Sequence, residues 1–403
     1  MLLTRAFKDP ASSAEYIDRK RGLWILSTLY PIVPGLIILA GALGGHPWLF
    51  WATPVLFYIG IAAMDHLRGE DNNNPPEWAV SAMDADPFYR TMALLAVPGH
   101  FLTLIAGAWA FTSGAFPLWS LVGLVWTVGI ISGLAINTGH ELGHKKSALE
   151  RWFAKIVLAM PAYGHFFIEH NKGHHRDVAT PEDPASSMLG ENFYRFAFTR
   201  EIPQTARRAW RIERDRLQRT GSPVWSVHNE ILQSALITVV LYGALVAAFG
   251  WMALPFLLLQ AFLGYLLLSQ ANYIEHYGLC RQRNADGRYE RPRPEHSWNT
   301  NHILSNLVLF HLQRHSDHHA NPTRRFQALR HFDGLPRLPS GYPGMFMLAL
   351  VPPLWRAVMD HRVAEHYGYD LSRANVDPRK RAALEARFAH RSATAEHSAS
   401  MEG

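Results

Sequence analysis

Cysteine is almost missing from this chain. One residue, Cys280, stands among 403, which excludes an internal disulfide and any cysteine-built metal cluster. A large charge imbalance is missing as well. The 39 Lys and Arg against 33 Asp and Glu leave a net charge of +6, and no nucleic-acid partner is expected. No cleavable signal peptide is expected either, because residues 1–20 are polar and the apolar run behind them is too long for a signal h-region. No internal repeat of fixed period is evident. Charge is absent altogether from three short links, at 43–47, 113–117 and 249–252, and that absence orders the rest of the reading.

Those links join apolar segments in pairs. The segments, at about 22–44, 47–66, 89–112, 117–139, 230–250 and 252–275, each approach the roughly 20 residues that cross a hydrocarbon core of about 30 Å. They predict six transmembrane helices in three hairpins. Pro31, Pro34, Pro54 and Pro98 lie inside them, which is compatible with spanning because neighbouring helices satisfy the backbone groups a proline frees. Nearly all Lys and Arg fall in the arm at 1–20, the link at 67–88, the insertion at 141–228 and the region 276–403. A Lys/Arg bias marks the cytoplasmic side, so both termini and both large polar regions are expected there. A soluble protein with buried core helices is disfavoured by the length of the runs. Two weaker stretches, 148–167 and 341–359, are charged or broken by proline; they are read as interfacial or re-entrant, with Trp152 and Trp355 at headgroup level. The expected fold is an all-α integral membrane protein with six transmembrane helices and a cytoplasmic, histidine-rich helical cap. Its expected parts are a cytosolic arm at 1–20, a membrane domain with a metal-binding cap at 21–360, and a polar tail at 361–403 that ends as linker or disorder.

What is abundant is histidine. Of 22, nine crowd into HELGH, HNKGHH, NYIEHYG and HSDHH: His140, His144, His170, His174, His175, His276, His315, His318 and His319. Helical residues at i and i+4 share a face, so His140 with His144, and His170 with His174, are each placed to grip one metal. His175 lies about 100° further round, and His315, His318 and His319 share one broad face. The adjacent pairs His174/His175 and His318/His319 cannot aim at one point from one helix, which suits two ions side by side. The topology puts all nine on the cytoplasmic side. The remaining histidines, His66, His100, His165 and His311 among them, read as ordinary core or surface residues.

Imidazole suits Zn, Cu, Fe and Ni alike. HELGH also matches the HExxH signature, with Glu141 as general base, but a catalytic zinc needs only three protein ligands and a zinc protease leaves the other clusters without a purpose. Di-iron carboxylate bundles use Glu and Glu-x-x-His pairs; the histidine-rich set here is a different kind of site. Glu141, Glu169, Glu275 and Asp317 each adjoin a histidine of the clusters. They are read as outer partners that accept the second imidazole N–H, with direct metal binding by one of them left open.

With these residues in view, the chain resembles the integral-membrane non-haem di-iron alkane hydroxylases, the alkane 1-monooxygenase family. The resemblance runs from the first hairpin to about residue 360, on HELGHKK from His140, EHNKGHHRDVATPEDPASS from Glu169, NYIEHYGL from Asn272 and LQRHSDHHANP from Leu312. Membrane fatty-acid desaturases share three of these in general form; NYIEHYGL points to the alkane hydroxylases and their xylene monooxygenase relatives. The resemblance implies that the nine histidines hold two Fe ions, and that one atom of O₂ enters the terminal C–H bond of a medium-chain n-alkane while the other is reduced to water. It implies rubredoxin as electron donor, itself reduced by an NADH-dependent reductase, and residence in the bacterial inner membrane. A rubredoxin needs four cysteines, so the donor is expected on a separate chain or a domain beyond Gly403.

An n-alkane offers no polar handle, so a channel inside the bundle is expected to select the chain end. Gly133, Ile136 and Asn137 lie one to two turns before His140, and Leu268, Ser269 and Asn272 stand similarly before His276. Phe57 and Tyr58 of the second helix are candidates for limiting chain length. Five arginines, Arg281, Arg283, Arg288, Arg291 and Arg293, follow His276 closely and offer a docking face for an acidic rubredoxin, or simply face anionic lipid. The alternatives are a fatty-acyl desaturase or hydroxylase on the same metal scaffold and, from another class, a metal transporter. Against the transporter, the spans hold almost no ionisable residue deep enough to line an ion path.

Overall fold

The computed structural model describes residues 3–389. Six helical segments in it are long and apolar enough to cross a membrane: Arg21–Leu43, Pro47–Arg68, Pro87–Thr112, Leu118–Gly143, Glu230–Phe249 and Ala253–His276. They match the six sequence runs, shifted by a few residues at their ends. The fourth span is 78% buried along its apolar window and the fifth only 11%, so the fourth is the bundle's core and the fifth its rim.

Length explains where the site can be. The fourth span has 26 residues, about 39 Å at 1.5 Å per residue, against a hydrocarbon core of about 30 Å. The excess of about 9 Å leaves room for the last turns, which carry His140, to stand clear of the apolar layer. The sixth span packs along it and ends on His276, so both helices deliver histidine to the same face of the bundle. Their close approach has a sequence cause, Gly129-x-x-x-Gly133, a spacing that lets helix backbones meet. A Cβ on Gly129 would stand 2.5 Å from Leu263 Cβ, and one on Gly133 2.5 Å from Leu267 Cδ2.

The rest clamps that face. The arm is no free tail: Arg5–Lys8 and Glu15–Asp18 pair as an antiparallel hairpin, and Arg5 and Arg21 hold Asp86, at 2.9 and 3.1 Å, where it caps the third span. Ala148–Ala159 forms a helix with Trp152 half exposed, followed by turns before Phe166–Glu169. The 341–359 stretch divides into Tyr342–Ala349 and the start of Pro352–His366. Here the headgroup placement of Trp355 fails: its ring is fully buried, 5.0 Å from Tyr273 and 5.2 Å from Tyr277. It closes the cap onto the end of the sixth span. The polar tail also starts as packed structure, with 381–389 helical and Leu384 and Phe388 buried in the core. The linker reading of its end falls on 390–403, outside the described residues.

Candidate metal centre

The nine imidazoles meet at the ends of the fourth and sixth spans as two sets. His140, His144, His170, His175 and His318 form one; His174, His276, His315 and His319 form the other, with the ligand atoms in each within 4.8 Å of one another. In the first, Nε2 atoms of His140 and His318 are 2.9 Å apart, and those of His318 and His175, and of His175 and His170, 3.1 Å. In the second, His315 Nε2 is 2.9 Å from His319 and 3.2 Å from His276. Two imidazoles bound at right angles to one ion at about 2.0–2.1 Å stand about 2.9 Å apart, so this crowding is the geometry of a shared ligand sphere. His144 Nε2 and His174 Nε2 are buried with no hydrogen-bond partner among the described residues, as ligand atoms aimed at an ion would be. The residues fit two metal ions.

The split sends His174 and His175 to different sets, and likewise His318 and His319, as adjacency requires. It departs from the i, i+4 pairing of His170 with His174. His170–His174 is a π-helical turn in which the amide of His175 bonds back to the carbonyl of His170. In a π turn the repeat is i to i+5, so His170 comes into line with His175 and His174 is released to the other set. His140 and His144, on regular helix, stay together.

Burial disfavours the charged form of six of these rings. His144, His170, His175, His315, His318 and His319 are all held well below the usual imidazole range, first by desolvation and then by one another's proximity. The neutral form is the one that ligates.

The four expected carboxylate partners are placed differently. Glu141 pairs with Lys145 at 3.0 Å, and Asp317 with Arg330 at 2.9 Å and Asn321 at 2.9 Å; among the described residues neither carboxylate takes an imidazole proton. Glu169 lies 3.4 Å from Arg208. Glu275 does approach the centre, with Oε2 3.3 Å from His315 Nε2, while Oε1 accepts from Tyr342 at 2.9 Å. The acid that orients a ring is one the sequence reading passed over: Asp183 accepts from His174 Nδ1 at 2.8 Å. It sits in a turn between Pro181 and Pro184 and is braced by Arg208 at 3.1 Å and Ser186 at 2.7 Å. Burial alone would raise Asp183, but His174 and Arg208 outweigh it and hold the carboxyl below its usual range. His276 turns its Nδ1 to the carbonyl of His296 at 3.3 Å.

Above both sets lies an apolar cavity whose floor is His140, His170, His315 and Glu275. Gly133, Ile136, Asn137, Leu268 and Asn272 all line it. Ser269 does not; its hydroxyl turns to Glu201 at 2.5 Å. Phe57 stands one ring back, 6.3 Å from Phe346 of the cavity wall. Tyr58 lines two neighbouring apolar cavities with Trp126, and Leu267 is the wall common to one of these and the first. Among the five arginines, Arg281 is buried and donates to the carbonyls of Glu290 and Arg176, so it is no part of a docking surface. Arg283, Arg288, Arg291 and Arg293 are exposed.

Residues 115–349 match the family model described as fatty acid desaturase. The chain is 53% identical to the alkane 1-monooxygenase of Pseudomonas putida over 94% of each chain. It is 49% identical to alkane 1-monooxygenase 1 of Alcanivorax borkumensis over 96% of each. At a greater distance, it is 25% identical to the hydroxylase component of the xylene/toluene monooxygenase of Pseudomonas putida, over 82% of this chain and 87% of that one. A paired histidine centre under an apolar cavity at the end of six spans is thus carried on a sequence of known kinship, and the chain belongs to the alkane 1-monooxygenase family of membrane oxidoreductases.

Proposed function

We propose that this protein hydroxylates medium-chain n-alkanes at the terminal carbon, with O₂ as oxidant and electrons from rubredoxin, itself kept reduced by an NADH-dependent reductase. The nine histidines hold two Fe ions, five on one and four on the other. Bound there, iron supplies the redox chemistry that O₂ activation needs and zinc lacks. The observation that carries the reading is the apolar cavity floored by histidines of both sets.

This chain's residues divide the remaining work. The cavity walls, with Gly133, Ile136 and Leu268 in them, hold the alkane by shape. Burial against them is worth little to a substrate already dissolved in lipid, although each CH₂ transferred from water gains about 0.8 kcal/mol. Selectivity for the chain end therefore comes from closure at the floor. Asn137, whose amide donates to the carbonyl of Leu309 at 2.9 Å, ties the wall to the cap. Asp183 fixes the ring of His174. Phe57 acts on chain length through Phe346, and Tyr58 lines the apolar path beyond Leu267. The exposed Arg283, Arg288, Arg291 and Arg293 receive the acidic rubredoxin. The protein lies in the bacterial inner membrane, with its termini and metal centre cytoplasmic and the arm, membrane domain and tail bounded near residues 20 and 360.

Supplying purified, iron-loaded protein with octane or dodecane, reduced rubredoxin and O₂ tests this. The expected product is the 1-alkanol, with two irons per chain. Alkene as the product would move the assignment to a desaturase, and a single zinc would overturn it.

A further inference from the structure

Behind the metal centre lies a second, smaller cavity with a larger share of polar side chains in its lining. Its wall includes Glu201, Glu169, Tyr163 and His165, together with one histidine of each set, His170 and His174. Asn272 lines both this cavity and the apolar one. Glu201 is 1% exposed. Its Oε2 accepts from Ser269 at 2.5 Å and its Oε1 from Asn272 Nδ2 at 3.1 Å. The Tyr163 hydroxyl faces Glu201 and Thr205, and His165 Nε2 is buried without a hydrogen-bond partner among the described residues. A lone buried polar atom is costly, and a small cavity lined by polar groups is where an ordered water is held.

Alkane hydroxylation consumes two protons at this place. The O–O bond breaks, one oxygen enters the terminal C–H bond, and the other leaves as water with two protons and two electrons, the electrons delivered singly by a one-electron carrier protein. The alkane hydrogen stays in the new hydroxyl, so the alkane supplies no proton. The imidazoles are neutral ligands, and the wall above them is apolar except for Asn137, Asn272 and Glu275, whose carboxylate is tied to Tyr342 at 2.9 Å and stands 3.3 Å from His315 Nε2. The more polar cavity is the side from which protons can come, and Glu201 is the carboxyl in it that pairs with no cation among the described residues.

We propose that Glu201 relays protons from this cavity, past Asn272, into the metal centre during O₂ reduction. Glu201 acts through water and Asn272 and not on the reacting atoms, so it is a positioning residue for the proton. The titratable groups around it are Glu169, Asp183, Tyr163, His165 and His174. Burial, against hydrogen bonds with Ser269, Asn272 and Tyr163, pushes Glu201 up to about 7, where a carboxyl exchanges its proton readily near neutral pH.

The inference rests on the hydroxylase reading, and its test separates the two. Iron-loaded wild type, Glu201→Gln and Glu201→Asp are compared with reduced rubredoxin, octane and O₂. E201Q is expected to keep its iron and to go on consuming O₂. Alkanol formed per O₂ should fall by about tenfold, with hydrogen peroxide making up the difference and a larger solvent isotope effect on kcat; E201D restores most of the coupling. E201Q coupled like wild type would overturn the relay, as would E201D losing iron together with E201Q, the mark of a purely structural tie. Infrared difference spectra of wild type minus E201Q, taken without substrate, give an independent readout. A protonated-carboxyl band below neutral pH that disappears above it is expected, and its absence overturns the relay. Wild type that makes no alkanol overturns the hydroxylase reading instead.

Discussion

A histidine ligates only while it is neutral, and the fold holds these rings in that state at a cost that shows on unfolding. Six of them, His144, His170, His175, His315, His318 and His319, are depressed by burial and mutual proximity. The unfolded chain binds protons on them below about 6.5, where the folded one does not. Stability of the metal-free protein is therefore fully present above that pH and falls as pH drops through it, by up to about 1.4 kcal/mol per pH unit for each ring that charges only on unfolding. Thermal unfolding in detergent across pH 5–8 should show a melting temperature that declines toward acid; a flat profile would mean the rings are already charged in the fold. Replacing a ligand is a harsher change. His140→Ala, His174→Ala or His318→Ala should abolish alkanol formation and lower bound iron, and full activity in any of them would remove that residue from the ligand set. Asp183→Asn keeps the size of the side chain but removes the charge that orients His174. An outer partner of this kind is worth about 10–100-fold in metal affinity, to be read by competition with a chelator.

The elements were legible in the sequence to differing degrees, and the reasons are physical. A span must be apolar for its whole length, so six runs declared themselves. The HxxxH spacing of His140 and His144 was legible because that stretch is regular helix. The 170–174 turn was not, because a shift from i+4 to i+5 bonding leaves no mark on composition; the same five letters would read identically in an α turn. Trp355 suits an interface and a core equally by residue type, and only the rings of Tyr273 and Tyr277 decide it. Asp183 reaches His174 through a turn whose course the two prolines set, and Glu201 reaches Asn272 from another element altogether. One signal was in plain view, the Gly129-x-x-x-Gly133 spacing. A leucine at Gly129 would press on Leu263, whose Cβ already stands 2.5 Å from where a side chain would begin. Overpacking of this kind costs about 1–3 kcal/mol. Gly129→Leu should lower the melting temperature and shift the fourth span against the sixth, with iron content falling as His140 and His276 part. Unchanged iron and stability would show that the two helices have slack at this contact.

At the scale of the whole molecule, the proposed function and the proposed relay together ask for three chemically distinct approaches to one centre. Alkane would come through apolar walls from within the bundle, protons through the cavity at Glu201, and electrons from the face beyond the ends of the spans. The segment after His276 links that last face to the histidine centre most directly, since the carbonyl of His296 holds His276 Nδ1 at 3.3 Å while Arg288 and Arg293 stand 86% and 59% exposed a few residues earlier. Arg293 is shared with Glu290 and Glu295 at 3.5 and 3.6 Å, Arg283 with Glu182 at 3.3 Å and Arg288 with Asp286 at 3.9 Å, so Arg288 is the most exposed and most loosely held of these three charges. Exposed charges of this sort steer an encounter more than they hold a complex, and salt screens them beyond about 8 Å at physiological strength. Reversing them as Arg288→Glu with Arg293→Glu should therefore raise the KM for rubredoxin by on the order of tenfold, leave kcat at saturating rubredoxin nearly unchanged, and flatten the salt dependence of the rate. Alkanol formation driven by a small chemical reductant should be unaffected. If the double variant instead keeps its rubredoxin KM but binds anionic vesicles less tightly, the arginines face lipid and the electron carrier docks elsewhere on the cap.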